Sequence, residues 1–167
     1  MHHALGRAEN MDIIGAKKLA AKWIGFKMYT CHEIYKKLIQ KGCEEDIAET
    51  VVAEFSKAGI LNDEEYAKLY IHDAAVIGLK GIYRIKQELH LKGIASSVIE
   101  KAISSSPLDM EAKLKEYIEL RFGSKEFSDY KELEKAKAHL LRRGFSISDI
   151  NRCFRELNIK IVRGEDD

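Results

Sequence analysis

The run Arg84-Ile85-Lys86-Gln87-Glu88-Leu89-His90-Leu91-Lys92-Gly93-Ile94 sets two apolar residues, Ile85 and Leu89, four positions apart among charged and polar neighbours, and closes on a lysine and a glycine. Apolar residues at i and i+4 share one face of a helix. A glycine just past the last helical residue takes positive φ without a Cβ clash, and the preceding lysine faces the negative helix end. The same signature recurs at a period of 51 residues, on Gly42, Gly93 and Gly144. Leu38, Leu89 and Leu140 lie four positions before these glycines, Lys41, Lys92 and Arg143 one position before, and Cys43, Ile94 and Phe145 follow directly. Farther out, Glu65, Tyr66 and Leu69 match Glu116, Tyr117 and Leu120 in the same register. So many coincidences in one register identify an internal repeat.

Helices account for the rest of the chain. Apolar residues follow helical spacing at Ile34 and Leu38, at Ile47, Val51 and Phe55, and at Tyr66, Tyr70, Ala74 and Ile77. No strand-length alternation appears, and the single proline, Pro107, is too few for a strand-rich fold. Thr30-x-x-Glu33 has the form of a capping box, Asn62-x-x-Glu65 begins another helix, and Ser106 before Pro107 predicts a third start. The expected architecture is all-α, with tandem three-helix repeats of period 51 forming an elongated or curved module. Its expected divisions are a flexible terminus at 1–10, a partial unit at 11–29, repeats at 30–79 and 80–130, a partial third repeat at 131–157 and a charged tail at 158–167.

The 167 residues carry 28 Lys and Arg against 27 Asp and Glu, 46% of them are hydrophobic, and no run of about 18 apolar residues occurs. These values exclude a disordered chain and a membrane span. Three cysteines, Cys31, Cys43 and Cys153, form neither a Cys-x-x-Cys pair nor an even set, so reduced thiols in a cytoplasm are expected. The histidines show no ligand spacing, no phosphate loop of the Gly-x-x-x-x-Gly-Lys-Ser/Thr type is present, and no acid/base pair stands out. No catalytic residue, metal or cofactor is therefore assigned. Gly78-Leu79-Lys80-Gly81 has the spacing of a phosphate-clamping loop, but a turn between helices explains both glycines better. His90 and His139, near the ends of basic runs, read as solvated helix-end residues.

Charge is unevenly placed. Each twelve-residue window before a repeat glycine (30–41, 81–92 and 132–143) sums to +2, whereas Cys43 to Asp73 holds nine acids against Lys57 and Lys68, a sum of −7. Helices that are basic at successive repeats suit a nucleic-acid backbone or an acidic filament groove. Lys36, Lys37, Arg84, Lys86, Arg142 and Arg143 are the candidate contacts. Tyr66 and Tyr117 read as packing residues on the apolar stripe.

Gly59-Ile60-Leu61-Asn62-Asp63-Glu64-Glu65-Tyr66-Ala67 resembles the most recognisable segment of the RecX family, and Arg84 to Ile94 is similar to its second hallmark, Ile-x-x-Glu-Leu-x-x-Lys-Gly-Ile. Thr30-Cys31-His32-Glu33-Ile34 with Leu38 and Lys41-Gly42 resembles the family's first repeat. Lys137 to Phe145 with Asp149-Ile150 resembles its third. The likeness covers roughly residues 16–157. It implies a cytoplasmic bacterial protein of three-helix repeats, a monomer without catalytic residues, that binds RecA filaments on DNA and modulates their growth, ATP hydrolysis and strand exchange. Gly42, Gly93, Gly144, Asp63 and Tyr66 become its structural repeat positions. The chain departs from the family at Tyr29, where arginine is common, and at His72, Asp73 and Val76, where basic residues are common. The alternative is a helical module that binds DNA directly, with no RecA partner.

Overall fold

A computed structural model describes residues 11–162, and among them the regular structure is helical. The elements are α1 (Ile13–Ile24), α2 (Cys31–Gln40), α3 (Glu45–Lys57), α4 (Asp63–Val76), α5 (Ile82–Leu91), α6 (Ser96–Ser104), α7 (Met110–Phe122), α8 (Tyr130–Arg142) and α9 (Ile147–Glu156). The expected flexible terminus at 1–10 lies outside the described residues.

Three separate cores group these helices. Ala16, Ala20, Ile34, Leu38, Ala48 and Val51 unite α1–α3; Ala67, Ile71, Ile85, Leu89, Ile99 and Ala102 unite α4–α6; Ile118, Phe122, Leu140, Ile150 and Phe154 lead the core of α7–α9. The 51-residue register runs through all three, with Ala16, Ala67 and Ile118 equivalent, then Ala20, Ile71 and Phe122, then Leu38, Leu89 and Leu140. The packing phase differs from the divisions at 30–79 and 80–130. Periodicity determines the length of a unit but not its first helix, and the shared cores start each unit one helix earlier. The third unit is accordingly complete, with α7 as its first helix. Part of the supposed tail belongs to it: Ile159 packs on the third core, Val162 donates to the carbonyl of buried Phe127 at 2.9 Å, and Phe127 bridges Ile161.

Caps set the helix starts. Thr30 and Glu33 form the reciprocal capping box of α2, and the Asn62 side chain accepts from the Glu65 N–H at the start of α4. For α7 the cap is Asp109, whose carboxylate accepts from the N–H groups of Glu111 and Ala112, and not Ser106. Ser106 instead accepts from the Leu108 N–H in the turn before it. Gly42, Gly93 and Gly144 all have positive φ, at 83°, 78° and 93°.

Candidate interaction surface

Each repeat glycine ends the second helix of its unit, and in units two and three that end is docked on the unit before. At the first joint, the Thr30 hydroxyl of α2 donates to the Lys92 carbonyl at the end of α5 (2.7 Å), and Lys92 Nζ pairs with Glu33 (3.0 Å). Asp63, the first residue of α4, accepts from the Cys31 N–H at the start of α2 (2.9 Å). Burial opposes the charge on Lys92, but its contacts with Tyr66 and Glu33 raise its pKa. Its ammonium lies 5.4 Å from the Tyr66 ring centroid and 5.8 Å from that of Tyr70. Burial, and then Asp63, push the Cys31 thiol up to about 11, so it stays protonated at neutral pH.

The second joint repeats the plan with other chemistry. The Gly81 and Tyr83 N–H groups at the start of α5 donate to the carbonyls of Arg143 (2.8 Å) and Gly144 (3.1 Å). Arg143 donates in turn to the Leu79 carbonyl at 2.9 Å and to that of Gly78, and its guanidinium covers the Tyr117 ring at 5.1 Å. Gly78 to Gly81 is thus a turn, and this turn receives the end of α8. At both joints the positive N-terminus of one helix meets the negative C-terminus of the next, so α8, α5 and α2 stack head to tail. Among the described residues, every hydrogen bond between units joins the first to the second or the second to the third.

Glu88 lies between the joints. It accepts from Tyr70 (2.6 Å), from Lys80 (2.8 and 3.0 Å) and from Arg84 (3.0 Å), while Arg84 also donates to the Arg142 carbonyl (3.1 Å). Burial works against its charge, yet the bonds from Lys80, Tyr70 and Arg84 bring its carboxyl down to about 2. Burial and the Glu88 carboxylate push the Tyr70 phenol up to about 12. The equivalent of Glu88 in the third unit is His139, which bonds the Tyr117 hydroxyl at 2.8 Å. His139 is therefore a packed partner and not a solvated helix-end residue; burial, and then Arg143, lower its pKa.

The six candidate cations occupy unlike places. Arg84, Arg142 and Arg143 meet at the second joint, Lys86 is held by Glu100 at 2.7 Å, and Lys37 lies 4.6 Å over Trp23. Lys36 is exposed, as is the side chain of Arg142. Equal window charges concealed these differences because they count a cation without its partner. Tyr66 and Tyr117 do pack, and both also lie under a joint cation, which periodicity alone did not indicate. Beside the first joint, Met28, Tyr66, Leu69, Tyr70 and Asp73 line a shallow depression of about 260 Å³. Among the described residues no helix is long and apolar enough to cross a membrane, and no group of three or more His, Cys, Asp or Glu is placed to hold a metal ion.

Comparison with known proteins agrees with the three cores. Residues 16–55, 62–103 and 109–154 match the first, second and third three-helix domains of RecX. The chain is 31% identical over 138 residues to the regulatory protein RecX of Vibrio parahaemolyticus, covering 83% of this chain and 88% of that one. It is 31% identical over 150 residues to the RecX of Streptococcus sanguinis, of which it spans 56%. It therefore covers about half the length of that relative and of the Lactococcus lactis protein, where the share is 51%. The crystal structure of RecX from Lactobacillus salivarius superposes with a TM-score of 0.73 at 25% identity, over 89% of this chain and 97% of that one. With three domain matches in order, and relatives similar along most of its length, the chain belongs to the RecX family.

Proposed function

We propose that this protein, a regulatory protein and not an enzyme, binds RecA nucleoprotein filaments in the cytoplasm and restrains their ATPase and recombinase activity. The observation that supports this reading most directly is the match of all three RecX domains, in order, to units whose hydrogen bonds to one another, among the described residues, join neighbours only. A linear series of equivalent units is suited to a partner that itself repeats. Successive units meet successive filament subunits, and the filament state that fits the series best gains population by differential binding, without chemistry. Lys36 and Arg142, exposed and outside the buried parts of the joints, are the direct contacts in this proposal. Arg84 and Arg143 act through it by setting the angle between units.

The test measures the DNA-dependent ATPase of the cognate RecA against increasing amounts of this protein, with co-sedimentation of preassembled filaments. The expected outcome is a saturable fall in ATPase rate and recovery of the protein with the filaments. Unchanged ATPase with no co-sedimentation removes the proposal. Binding to bare duplex that falls steeply with salt and is indifferent to RecA favours the alternative of a direct DNA-binding module.

A further inference from the structure

The first unit carries a charge that its fold does not require. Residues 11–43 hold seven lysines against Asp12 and Glu33, and no arginine. The three units share one fold and one register, so the second and third show what the same positions need for folding. Lys18 corresponds to Leu69 and Leu120, Lys22 to Asp73 and Ser124, Lys27 to Gly78 and Asp129, and Lys37 to Glu88 and His139. None of these four is basic at neutral pH in either of the other units, so the shared fold does not call for a cation at these positions. Nor do ion pairs: among the described residues no carboxylate lies within 4.0 Å of these four ammonium groups, whereas Lys17 beside them is paired with Glu54.

Two of the four lysines, Lys27 and Lys37, share an aromatic corner, and the other two lead along α1 towards it. Lys18, Lys22 and Phe26 follow one another at intervals of four residues, along α1 and into the turn after it. Lys27 and Lys37 share the Tyr29 ring, at 4.5 and 5.6 Å from its centroid, and Lys37 also lies over Trp23. Those two rings hold ammonium groups in place, whereas Phe26 is 81% exposed. We propose that this α1–α2 corner is a binding site for single-stranded nucleic acid, with the lysines on phosphates and an unstacked base against Phe26. Lysine is a point charge that suits phosphate oxygens, and without arginine the site has no bidentate reader of base edges, so binding is sequence-independent. A duplex keeps its base faces stacked and has nothing to place on Phe26. This proposal does not depend on the RecA reading, because it concerns binding to a free strand.

The test is fluorescence anisotropy of the full chain with a labelled oligothymidylate, and with a blunt duplex of the same length. Four neutralised phosphates predict roughly a 50-fold loss of affinity between about 50 and about 200 mM salt. Lys18→Glu with Lys22→Glu lowers single-strand affinity by tenfold or more. Phe26→Ala, at an exposed position that cannot unsettle the core, lowers it about fivefold or more and leaves duplex affinity unchanged. Lys131→Glu with Lys135→Glu, exposed on α8, serves as the control and leaves binding intact. The proposal is overturned if the wild-type chain ignores the strand at about 50 mM salt, if the control pair loses as much affinity as the α1 pair, or if Phe26→Ala binds as wild type. Displacement by polyglutamate as effective as by unlabelled strand also overturns it, and assigns the corner to an acidic protein.

Discussion

The three repeat glycines have the same backbone conformation and different surroundings, which makes them a natural dissection of strain from contact. A Cβ on Gly42 meets nothing within 4 Å. On Gly93 a Cβ would fall 2.3 Å from the His32 side chain, and on Gly144 it would fall 2.5 Å from the Arg84 backbone nitrogen. Gly42→Ala therefore costs only the left-handed strain, about 1 kcal/mol. Gly93→Ala costs more, and Gly144→Ala, which must move backbone, costs most, about 3 kcal/mol. Thermal melts of the three variants check this order; equal losses at all three would show that the joints contribute nothing at these positions.

Between elements, the informative residue is Glu88, which ties α4, the 78–81 turn and α5 through one carboxylate. Its side chain is only 20% exposed, so solvent screens these bonds little. A folded-state pKa of about 2 against an ordinary 4.5 means that its stabilisation is complete above pH 4.5 and disappears as the pH falls towards 2. Glu88→Gln should thus lower stability at pH 7 by on the order of 2–3 kcal/mol, and the deficit should vanish near pH 2. Urea unfolding at pH 7, 4 and 2.5 measures it; a deficit that does not change with pH would show that the carboxylate's charge is irrelevant. The head-to-tail meetings of α8 with α5 and of α5 with α2 are the other lesson at this scale. Helix ends that would be left to solvent in an isolated unit are satisfied across the joints, by the side chains of Thr30, Asp63 and Lys92 at the first and by backbone N–H groups with Arg84 and Arg143 at the second.

At the scale of the molecule, three small cores joined by narrow contacts should open unit by unit. Arg143→Ala removes the guanidinium bonds to Gly78 and Leu79 and should raise hydrogen exchange of α7–α9 several-fold while α1–α3 keep their protection. Uniformly faster exchange would instead identify one cooperative body. A good part of this organisation is legible in the sequence. The spacing of Leu38, Leu89 and Leu140 with their glycines determines an all-α repeat, because helical period and left-handed caps are local properties of neighbouring residues. Thr30 and Asn62 announce their helices for the same reason. The phase of the units could not be read, since any choice of first helix gives the same period, and only the burial of Ala16 with Leu38, or of Ile118 with Leu140, decides it. The fate of the cations was hidden too. Lys86 and Arg143 look alike in a charge count, yet one meets Glu100 and the other meets carbonyls 64 and 65 residues away. Local chemistry is written in neighbouring residues; which charges remain for a partner is decided by groups that only the tertiary structure brings together.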